Sequence, residues 1–161
     1  MNYRIGFGID FHQLVPGRKL MLGGIELPSE KGALGHSDGD VLLHAICDAL
    51  LGALNLGDIG LHFPNTDPQY KDIDSKILLN KINGLVREKN YSIGNIDATI
   101  CLENPKISGY ANKMRETIAG ILDISSDQIS IKATTTEKMG FVGREEGIVA
   151  YATLLLGTEA K

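Results

Sequence analysis

The stretch GDVLLHAICDALLGALNL, residues 39–56, decides the fold of this 161-residue chain. Its apolar residues recur three and four positions apart, which predicts a helix with one face in a hydrophobic core. The positions with this spacing are Val41, Leu42, Ala45, Ile46, Ala49, Leu50, Ala53 and Leu54. Directly before them, Ser37-Asp38-Gly39-Asp40 resembles a capping box and predicts that the helix begins there.

Segments with strand and helix patterns lie on both sides of this helix. The sequence predicts strands at 2–9, 20–28 (or a hairpin there), 96–102, 129–133 and 147–156, and helices at about 74–89 and 108–122. This mixed order favours an α+β fold, a two-layer α/β sandwich with a mixed four- to five-stranded sheet and helices on one face. The other sheet face would need cover, so we expect a homo-oligomer.

The composition is that of an ordinary globular protein. A length of 161 residues suits one domain, 1–161, and 43% apolar with 22% charged residues argues against disorder. A net charge of −4 without a basic stripe gives no reason to expect nucleic-acid binding. No apolar run reaches the roughly 20 residues of a membrane span, and the N-terminal segment does not resemble a signal peptide, so we expect a cytoplasmic protein. Cys47 and Cys101 have no CxxC partner and are expected to be buried free thiols.

Two segments carry side chains that together suit a metal ion. Asp10 and His12 follow each other at alternate positions of the first strand, so both point to the same side. His44 lies on the apolar helix, where a lone histidine is more often a hydrogen-bonded core residue. Asp40 and Asp48 each lie one turn away and are expected to orient its second ring nitrogen. Two histidines and one carboxylate leave a fourth tetrahedral position open, as in a catalytic zinc site.

Two further segments have functional and structural interpretations. The run KATTTEKMGF, residues 132–141, offers threonine hydroxyls and backbone N–H groups to a phosphate, and Glu137 to Mg²⁺ or Mn²⁺. A threonine-rich strand end with ordinary β propensity is an equal alternative. The polar loop at 57–72 is long enough to suggest a functional lid, although its turn-forming residues also suit a solvated turn.

In combination, four segments resemble one known family over nearly the whole chain. They are GHSDGDVLLHAICDALLGAL (35–54), LGDIG (56–60), FPNTDP (63–68) and IKATTTEKMGFVGREEGI (131–148). Their order is similar to that in the 2-C-methyl-D-erythritol 2,4-cyclodiphosphate synthase family, in which a DxH pair like Asp10-Phe11-His12 binds metal. The resemblance implies a homotrimer with active sites between neighbouring subunits. It also implies conversion of 4-diphosphocytidyl-2-C-methyl-D-erythritol 2-phosphate to the cyclic diphosphate with release of CMP, in the non-mevalonate isoprenoid pathway.

The resemblance further implies a role for individual residues. Zn²⁺ would be held by Asp10, His12 and His44, and Mg²⁺ or Mn²⁺ by Glu137 together with substrate phosphates. His36 and Thr135 would stabilise the transition state, with Ser37 beside His36. The erythritol part would contact Asp58, Ile59, Gly60, Phe63, Pro64, Asn65, Thr66 and Asp67. The cytidine and phosphate contacts would be Leu102, Pro105, Lys106, Ile107, Ser108, Thr134, Thr135 and Thr136, whereas Phe141 and Arg144 would line a central cavity for an isoprenoid diphosphate.

Three places in the sequence depart from the family pattern. Leu102-Glu103-Asn104 replaces smaller residues before the Pro-Lys pair, which suits cytosine recognition through the backbone. Asn65 stands where many relatives carry Asp, and Phe7 replaces a polar residue.

Two other functions are also compatible with the residues. A zinc-dependent phosphohydrolase would use the same ligands with an attacking water and give a linear product or free phosphate. A non-catalytic module would bind isoprenoid diphosphates through Phe141 and Arg144. The sequence shows no second His/Asp cluster for the hydrolase, and it retains the full set of polar site residues that a binding module would not require.

Overall fold

The computed structural model describes residues 2–158, in which a mixed five-stranded sheet packs against helices. The strands are β1 (Tyr3–Pro16), β2 (Leu20–Leu22), β3 (Ile25–Leu27), β4 (Lys31–Leu34), β5 (Ser92–Cys101), β6 (Ile129–Thr134) and β7 (Gly147–Gly157). The helices are α1 (Val41–Ala53), α2 (Ile59–His62), α3 (Ser75–Glu88), α4 (Ala111–Leu122) and α5 (Gly140–Gly143). The sheet order is β4-β1-β7-β5-β6, in which β5 and β6 are parallel and all other neighbours antiparallel. The predicted α+β class and mixed sheet are confirmed.

Helix α1 lies directly on β1, and two glycines of the strand make this approach possible. A Cβ atom at Gly6 would lie 1.8 Å from the carbonyl oxygen of Ala49, and one at Gly8 would lie 2.0 Å from that of Ala45. Any side chain at these positions would push the helix off the sheet. The close packing brings His44 of α1 next to the even-numbered side chains at the far end of β1.

The other face of β1 carries large apolar side chains that the long helices leave exposed; the short helix α5 reaches this face through Phe141, beside Phe11. Tyr3, Ile5, Phe7 and Phe11 are 61%, 74%, 59% and 52% exposed. The long helices therefore lie on one face of the sheet, as predicted, and the second face presents an apolar surface of the kind that marks an interaction site.

Several predicted boundaries were wrong, mainly where distant segments pair. β1 continues to Pro16 because its last four residues pair with β4, a short strand that the sequence analysis missed. The predicted capping box is also wrong: Asp40 is the N-cap of α1 and accepts a hydrogen bond from the Leu43 amide at 3.0 Å. Ser37 instead accepts from the Gly39 amide, so the helix starts two residues later than predicted. The 20–28 hairpin is confirmed as β2 and β3.

The loop at 57–72 has more local structure than its sequence predicted. It contains α2 and a 3₁₀ turn at Pro68–Tyr70. Two aspartates cap these turns, because Asp58 accepts from the Leu61 amide and Asp67 from the Gln69 amide, both at 3.0 Å. Such capping satisfies amide groups that the short turns leave open. The loop is therefore a pre-formed structure along the edge of the site described next.

Candidate active site

Three side chains from β1 and α1 converge on one point. Asp10 Oδ2 lies 3.0 Å from both His12 Nε2 and His44 Nδ1, and the two ring nitrogens are 3.1 Å apart. Asp10 and His12 share a face of β1, as the strand alternation predicted. His44 is buried and reaches them because α1 sits tightly on the strand.

Hydrogen-bond acceptors outside the triangle hold the proton of each imidazole on its outer nitrogen. The inner nitrogen of each ring therefore points its lone pair into the triangle. His12 Nδ1 lies 3.0 Å from the Leu34 carbonyl oxygen, which can only accept a hydrogen bond, so this nitrogen carries the proton. His44 Nε2 lies 2.9 Å from Ser75 Oγ, and the Ser75 hydroxyl donates its own proton to Asp38. Nε2 of His44 is therefore also the protonated nitrogen. The inward atoms are left as one carboxylate oxygen and two lone-pair nitrogens, which repel each other unless a cation or a proton lies between them.

The triangle fits a small divalent metal ion. In a tetrahedral site with bonds of about 2.0–2.1 Å, neighbouring ligand atoms are about 3.3–3.4 Å apart. The observed separations of 3.0–3.1 Å are only a few tenths of an ångström smaller. Two imidazoles and one carboxylate are also a donor set typical of zinc with an open fourth position.

Charge interactions within the triangle favour the ionised carboxylate. Burial raises the pKa of Asp10, but hydrogen bonds and charge interactions with His12 and His44 outweigh burial and hold the pKa well below its ordinary value. Burial lowers the pKa of His44, whereas the hydrogen bond and charge of Asp10 raise it, and the net pKa lies above the ordinary value. Asp10 is thus anionic near neutral pH, and a proton competes with a metal ion for His44.

The prediction that Asp40 and Asp48 orient His44 was wrong. The fully buried carboxylate of Asp40 accepts from the amides of Gly23, Gly24 and Leu43, which ties the β2–β3 turn to the start of α1. Asp48 accepts from the Ile59 amide at 2.7 Å and so anchors α2. Helical spacing placed both carboxylates near His44 along the chain, but backbone donors from other segments bind them instead.

The triangle forms part of the wall of a cavity of about 170 Å³. Its lining comprises Asp10, His12, His36, Ser37, His44, Ile59, Gly60, Phe63, Asn65, Tyr70, Ile73 and Leu78. His36 Nε2 is buried there and has no hydrogen-bond partner among residues 2–158, so a donor or acceptor is available for a ligand. Asp58, Pro64, Thr66 and Asp67, which were predicted to bind substrate, are not part of this lining.

The sequence analysis missed three lining residues, namely Tyr70, Ile73 and Leu78. An aromatic ring late in a polar loop was the available signal for Tyr70. Its ring packs edge-to-face against Phe63 with centroids 5.3 Å apart. The Lys81 ammonium group of α3 lies 5.6 Å from the Tyr70 ring centroid and 5.8 Å from that of Phe63. This cation–π contact joins the middle and the end of the loop to α3.

A second cavity, of about 180 Å³, lies at the ends of β5 and β6. Leu102, Pro105, Lys106, Ile107, Ser108, Ala133, Thr134 and Thr135 line it, and all of these except Ala133 were predicted to bind substrate. Glu103, in contrast, is buried beneath this region. Its carboxylate accepts from the Thr136 amide at 2.9 Å and pairs with the Lys138 ammonium group at 3.1 Å, which fixes the turn after β6.

The two cavities lie on different strands of the sheet. Asp10 is in register with Ala150, Ala150 with Ile100, and Ile100 with Ala133. Three strand spacings amount to about 14 Å. The triangle and the second cavity are thus at the same end of the sheet but separate within one chain.

The remaining predicted residues lie outside the triangle. The Glu137 carboxylate accepts a hydrogen bond from the Thr135 hydroxyl at 3.0 Å, and Glu137 is not one of the three residues that form the metal-type cluster. Phe141 lies beside Phe11 on the uncovered sheet face, with ring centroids 6.2 Å apart. Arg144 pairs with Glu146 at 2.9 Å. Cys47 is buried, whereas Cys101 is only half-buried, contrary to prediction.

Within residues 2–158, every helix is too short or too polar to cross a bilayer.

The chain is similar to known proteins over nearly its whole length. The model of the YgbB family matches residues 3–157. A 2-C-methyl-D-erythritol 2,4-cyclodiphosphate synthase of Bacteroides thetaiotaomicron is 62% identical over 156 residues, which cover 97% of this chain and 98% of that protein. Among solved structures, the IspF protein of Plasmodium falciparum in a CDP complex superposes with a TM-score of 0.88 and 36% identity over 99% of this chain and 98% of that one.

A longer protein contains the same fold. The bifunctional IspDF of Campylobacter jejuni superposes with a TM-score of 0.94 and 39% identity. The match covers 98% of the present chain but only 43% of the IspDF chain. From the family match and the 62% identity, this chain belongs to the YgbB family, the family of 2-C-methyl-D-erythritol 2,4-cyclodiphosphate synthases.

Proposed function

We propose that this chain, acting as a single cytoplasmic domain, converts 4-diphosphocytidyl-2-C-methyl-D-erythritol 2-phosphate to 2-C-methyl-D-erythritol 2,4-cyclodiphosphate and CMP. This is a lyase reaction of the non-mevalonate isoprenoid pathway. The observation that carries the proposal is the Asp10-His12-His44 triangle in the wall of a cavity that also contains His36. A site of this kind suits a small, strongly anionic substrate.

The reaction requires neutralisation of the phosphate charges more than it requires a general base. An oxygen of the substrate's 2-phosphate attacks the β-phosphorus, and the bond from that phosphorus to the bridging oxygen of CMP breaks. The electron pair of that bond leaves with CMP, which departs as an anion. The attacking oxygen is already ionised, so no residue has to remove a proton. A bound divalent cation would neutralise part of the phosphate charge and stabilise the charge that spreads in the transition state.

The protein residues then position the substrate and exclude water. His36 Nε2 is the candidate donor to a phosphate oxygen, because it is buried in the cavity and lacks a partner among the described residues. Phe63 and Tyr70 supply an apolar wall for the methylerythritol part and limit access of water, which would otherwise give a linear product. Ring closure within one bound molecule can gain about 7–11 kcal/mol from orientation alone.

Two different metals fit two different donor sets. Zn²⁺ suits the imidazoles of His12 and His44 with the Asp10 carboxylate, which hold three tetrahedral positions. Mg²⁺ or Mn²⁺ prefers oxygen ligands, and the Glu137 carboxylate together with substrate phosphates would supply them. The hydrogen bond from Thr135 to Glu137 holds that carboxylate next to the threonines.

A homotrimer would complete the site. The metal triangle and the second cavity, which we assign to the cytidine part of the substrate and call the cytidine cavity, are separated by about three strand spacings within one chain, which is about 14 Å. A neighbouring copy can place its own cytidine cavity against the triangle. The exposed apolar residues of β1 supply a surface for that association, and Phe141 and Arg144 would face a central cavity able to take an isoprenoid diphosphate.

Phosphorus NMR of the purified protein with the diphosphocytidyl substrate, Zn²⁺ and Mg²⁺ tests the function. We expect CMP together with two coupled cyclic-diphosphate signals. CMP with a linear phosphate product would favour a hydrolase, and no turnover by folded, zinc-loaded protein would favour a binding module. Denatured protein with the same metals controls for metal-catalysed breakdown of the substrate.

A further inference from the structure

We propose that Ser75 and Asp38 are positioning residues that fix the tautomer and orientation of His44 and thereby set the affinity of the triangle for its metal ion. This inference rests on the proposed function, because it takes the Asp10-His12-His44 triangle to be a divalent-metal site. Ser75 contacts His44 only at its outer ring nitrogen, and Asp38 acts through Ser75. They act through the outer ring nitrogen of His44.

The hydrogen bonds at His44 Nε2 have a defined direction. His44 Nε2 lies 2.9 Å from Ser75 Oγ and 3.1 Å from Ser37 Oγ. Because the Ser75 hydroxyl donates to the Asp38 carboxylate, its oxygen can only accept from His44. The proton of His44 is therefore held on Nε2, and Nδ1 keeps its lone pair toward Asp10 and His12.

Asp38 is itself held in place by hydrogen bonds. One carboxylate oxygen accepts from the Ser75 amide at 3.1 Å, and the other accepts from the Asp40 amide at 3.2 Å. The backbone amide of Asp38 donates to the Ile73 carbonyl at 3.1 Å. The carboxylate thus joins the segment before α1 to the start of α3, and it cannot swing away from Ser75 without breaking both.

The hydrogen bond between His44 and Ser75 is buried. Ser75 is fully buried, and His44 is 8% exposed, so water does not compete for these hydrogen bonds. Hydrogen bonds to an ionised group in such surroundings are stronger than those on the surface. A carboxylate that orients a metal-bound histidine is a common outer-sphere arrangement, and its loss weakens metal binding by about 10–100-fold. Here a serine hydroxyl lies between the carboxylate and the ring.

Hydrogen bonds beside Asp38 also join the metal site to the end of the 57–72 loop. The Asp72 amide donates to the His36 carbonyl at 2.7 Å, directly beside the bond between Asp38 and Ile73. Ile73 and His36 both line the first cavity. Substitution of Asp38 would therefore disturb the loop as well as His44, which makes Ser75→Ala the sharper variant. It removes the hydroxyl and leaves the bond from the residue 75 amide to Asp38.

The test is the zinc affinity of the apo-protein, measured by competition with a chromophoric chelator. We expect Ser75→Ala to weaken zinc binding by about 10–100-fold and Ser37→Ala to weaken it less, with the double variant weakest. The matched control is Ser125→Ala, which removes a serine that caps the 3₁₀ turn Ser126–Gln128 at the other end of β5. It should lower thermal stability without changing zinc affinity.

Unchanged zinc affinity in both Ser75→Ala and the double variant would overturn the proposal. If Ser75→Ala does not fold, nitrogen NMR of ¹⁵N-histidine-labelled, zinc-free wild-type protein, at a pH where His44 is neutral, decides instead, because bound zinc would itself keep a proton off Nδ1. A proton on Nε2 of His44 supports the proposal, and a proton on Nδ1 contradicts it. Failure of the proposed function is a separate result, since it would appear in the wild-type protein as a lack of zinc binding or of CMP release.

Discussion

The two cavities have similar volumes, about 170 and 180 Å³, but they are built in different ways. The polar part of the first lining is held by buried hydrogen bonds: the lining residues His44 and Ser37, and Ser75 behind them, are all below 9% exposure. The second lies at an edge strand, and its residues Lys106, Ser108 and Thr134 are exposed. One chain can therefore pre-organise the metal end of the site. The second cavity, which we propose as the cytidine end, would gain another wall from a second molecule, which is the physical reason to expect an oligomeric enzyme.

The largest effect should come from His44→Ala, which removes one corner of the triangle. We expect loss of zinc and of nearly all turnover, while the fold is kept because α1 retains its apolar contacts. Metal analysis of the purified variant and the phosphorus NMR assay measure both quantities. His62→Ala is the matched control for zinc content, because that ring binds the Leu56 carbonyl and lies outside the lining of the first cavity. Full zinc content in His44→Ala would contradict the ligand assignment.

A change of pH should act selectively on the metal end. The pKa of His44 is raised above its ordinary value of 6.5, so protonation begins to displace the metal at a higher pH than for a free histidine. Zinc affinity is therefore complete above this pKa and falls as the pH drops through it, by up to about tenfold per unit for one proton. Chelator competition at several pH values measures the profile. A flat profile, or affinity that rises toward acid, would contradict this ionisation scheme.

A smaller effect is expected from Glu137→Gln, which distinguishes the proposed Mg²⁺ or Mn²⁺ site from the zinc site. The amide keeps the shape of the side chain but loses the charge that Mg²⁺ or Mn²⁺ needs. The concentration of Mg²⁺ for half-maximal activity should rise by about tenfold or more, while zinc content is unchanged. Metal titrations of activity, with bound zinc determined separately, measure both. Identical Mg²⁺ titration curves for variant and wild type would remove Glu137 from the metal site.

The smallest effect should come from Lys81→Met, which removes the cation between Phe63 and Tyr70 without shortening the side chain much. A cation–π contact of about 0.5–1 kcal/mol corresponds to a two- to fivefold rise in KM. Zinc affinity should not change, because Lys81 holds the loop and not the triangle. Steady-state kinetics measure the change, with Lys89→Met at the other end of α3 as control. An equal rise in KM in the control would show that only net charge matters.

Much of the metal end could be predicted from sequence because its signals are local. Asp10 and His12 share a strand face through simple alternation, and His44 stands out on an apolar helix. Asp38 and Ser75, which orient His44, could not be predicted in this way. Asp38 and Ser75 are 37 residues apart, and only the packing of α3 beside the segment before α1 joins them. Helical spacing pointed to Asp40 and Asp48 instead, whose carboxylates are bound by amides of other segments.

The cytidine end was predicted by resemblance more than by residue chemistry. Its lining includes Ala133 and several backbone segments, which have no distinctive side-chain pattern. Glu103 was treated as a departure from the family, yet it is buried and fixes the turn that carries Glu137. Strand β4 was missed for a related reason. It is four residues long, and its pairing with the end of β1 depends on tertiary contacts that no local period reveals.

A mixture of two inactive variants tests most directly whether the metal end and the cytidine end of each active site come from different subunits. His44→Ala lacks the metal end, and Thr135→Ala lacks a group at the cytidine end. If the two ends of each site come from different subunits of a cyclic trimer, co-expressed chains should regain activity in up to about a quarter of the sites. No gain over the separate variants, with mixed oligomers confirmed by two affinity tags, would show that one chain supplies the whole site and would contradict the proposed assembly.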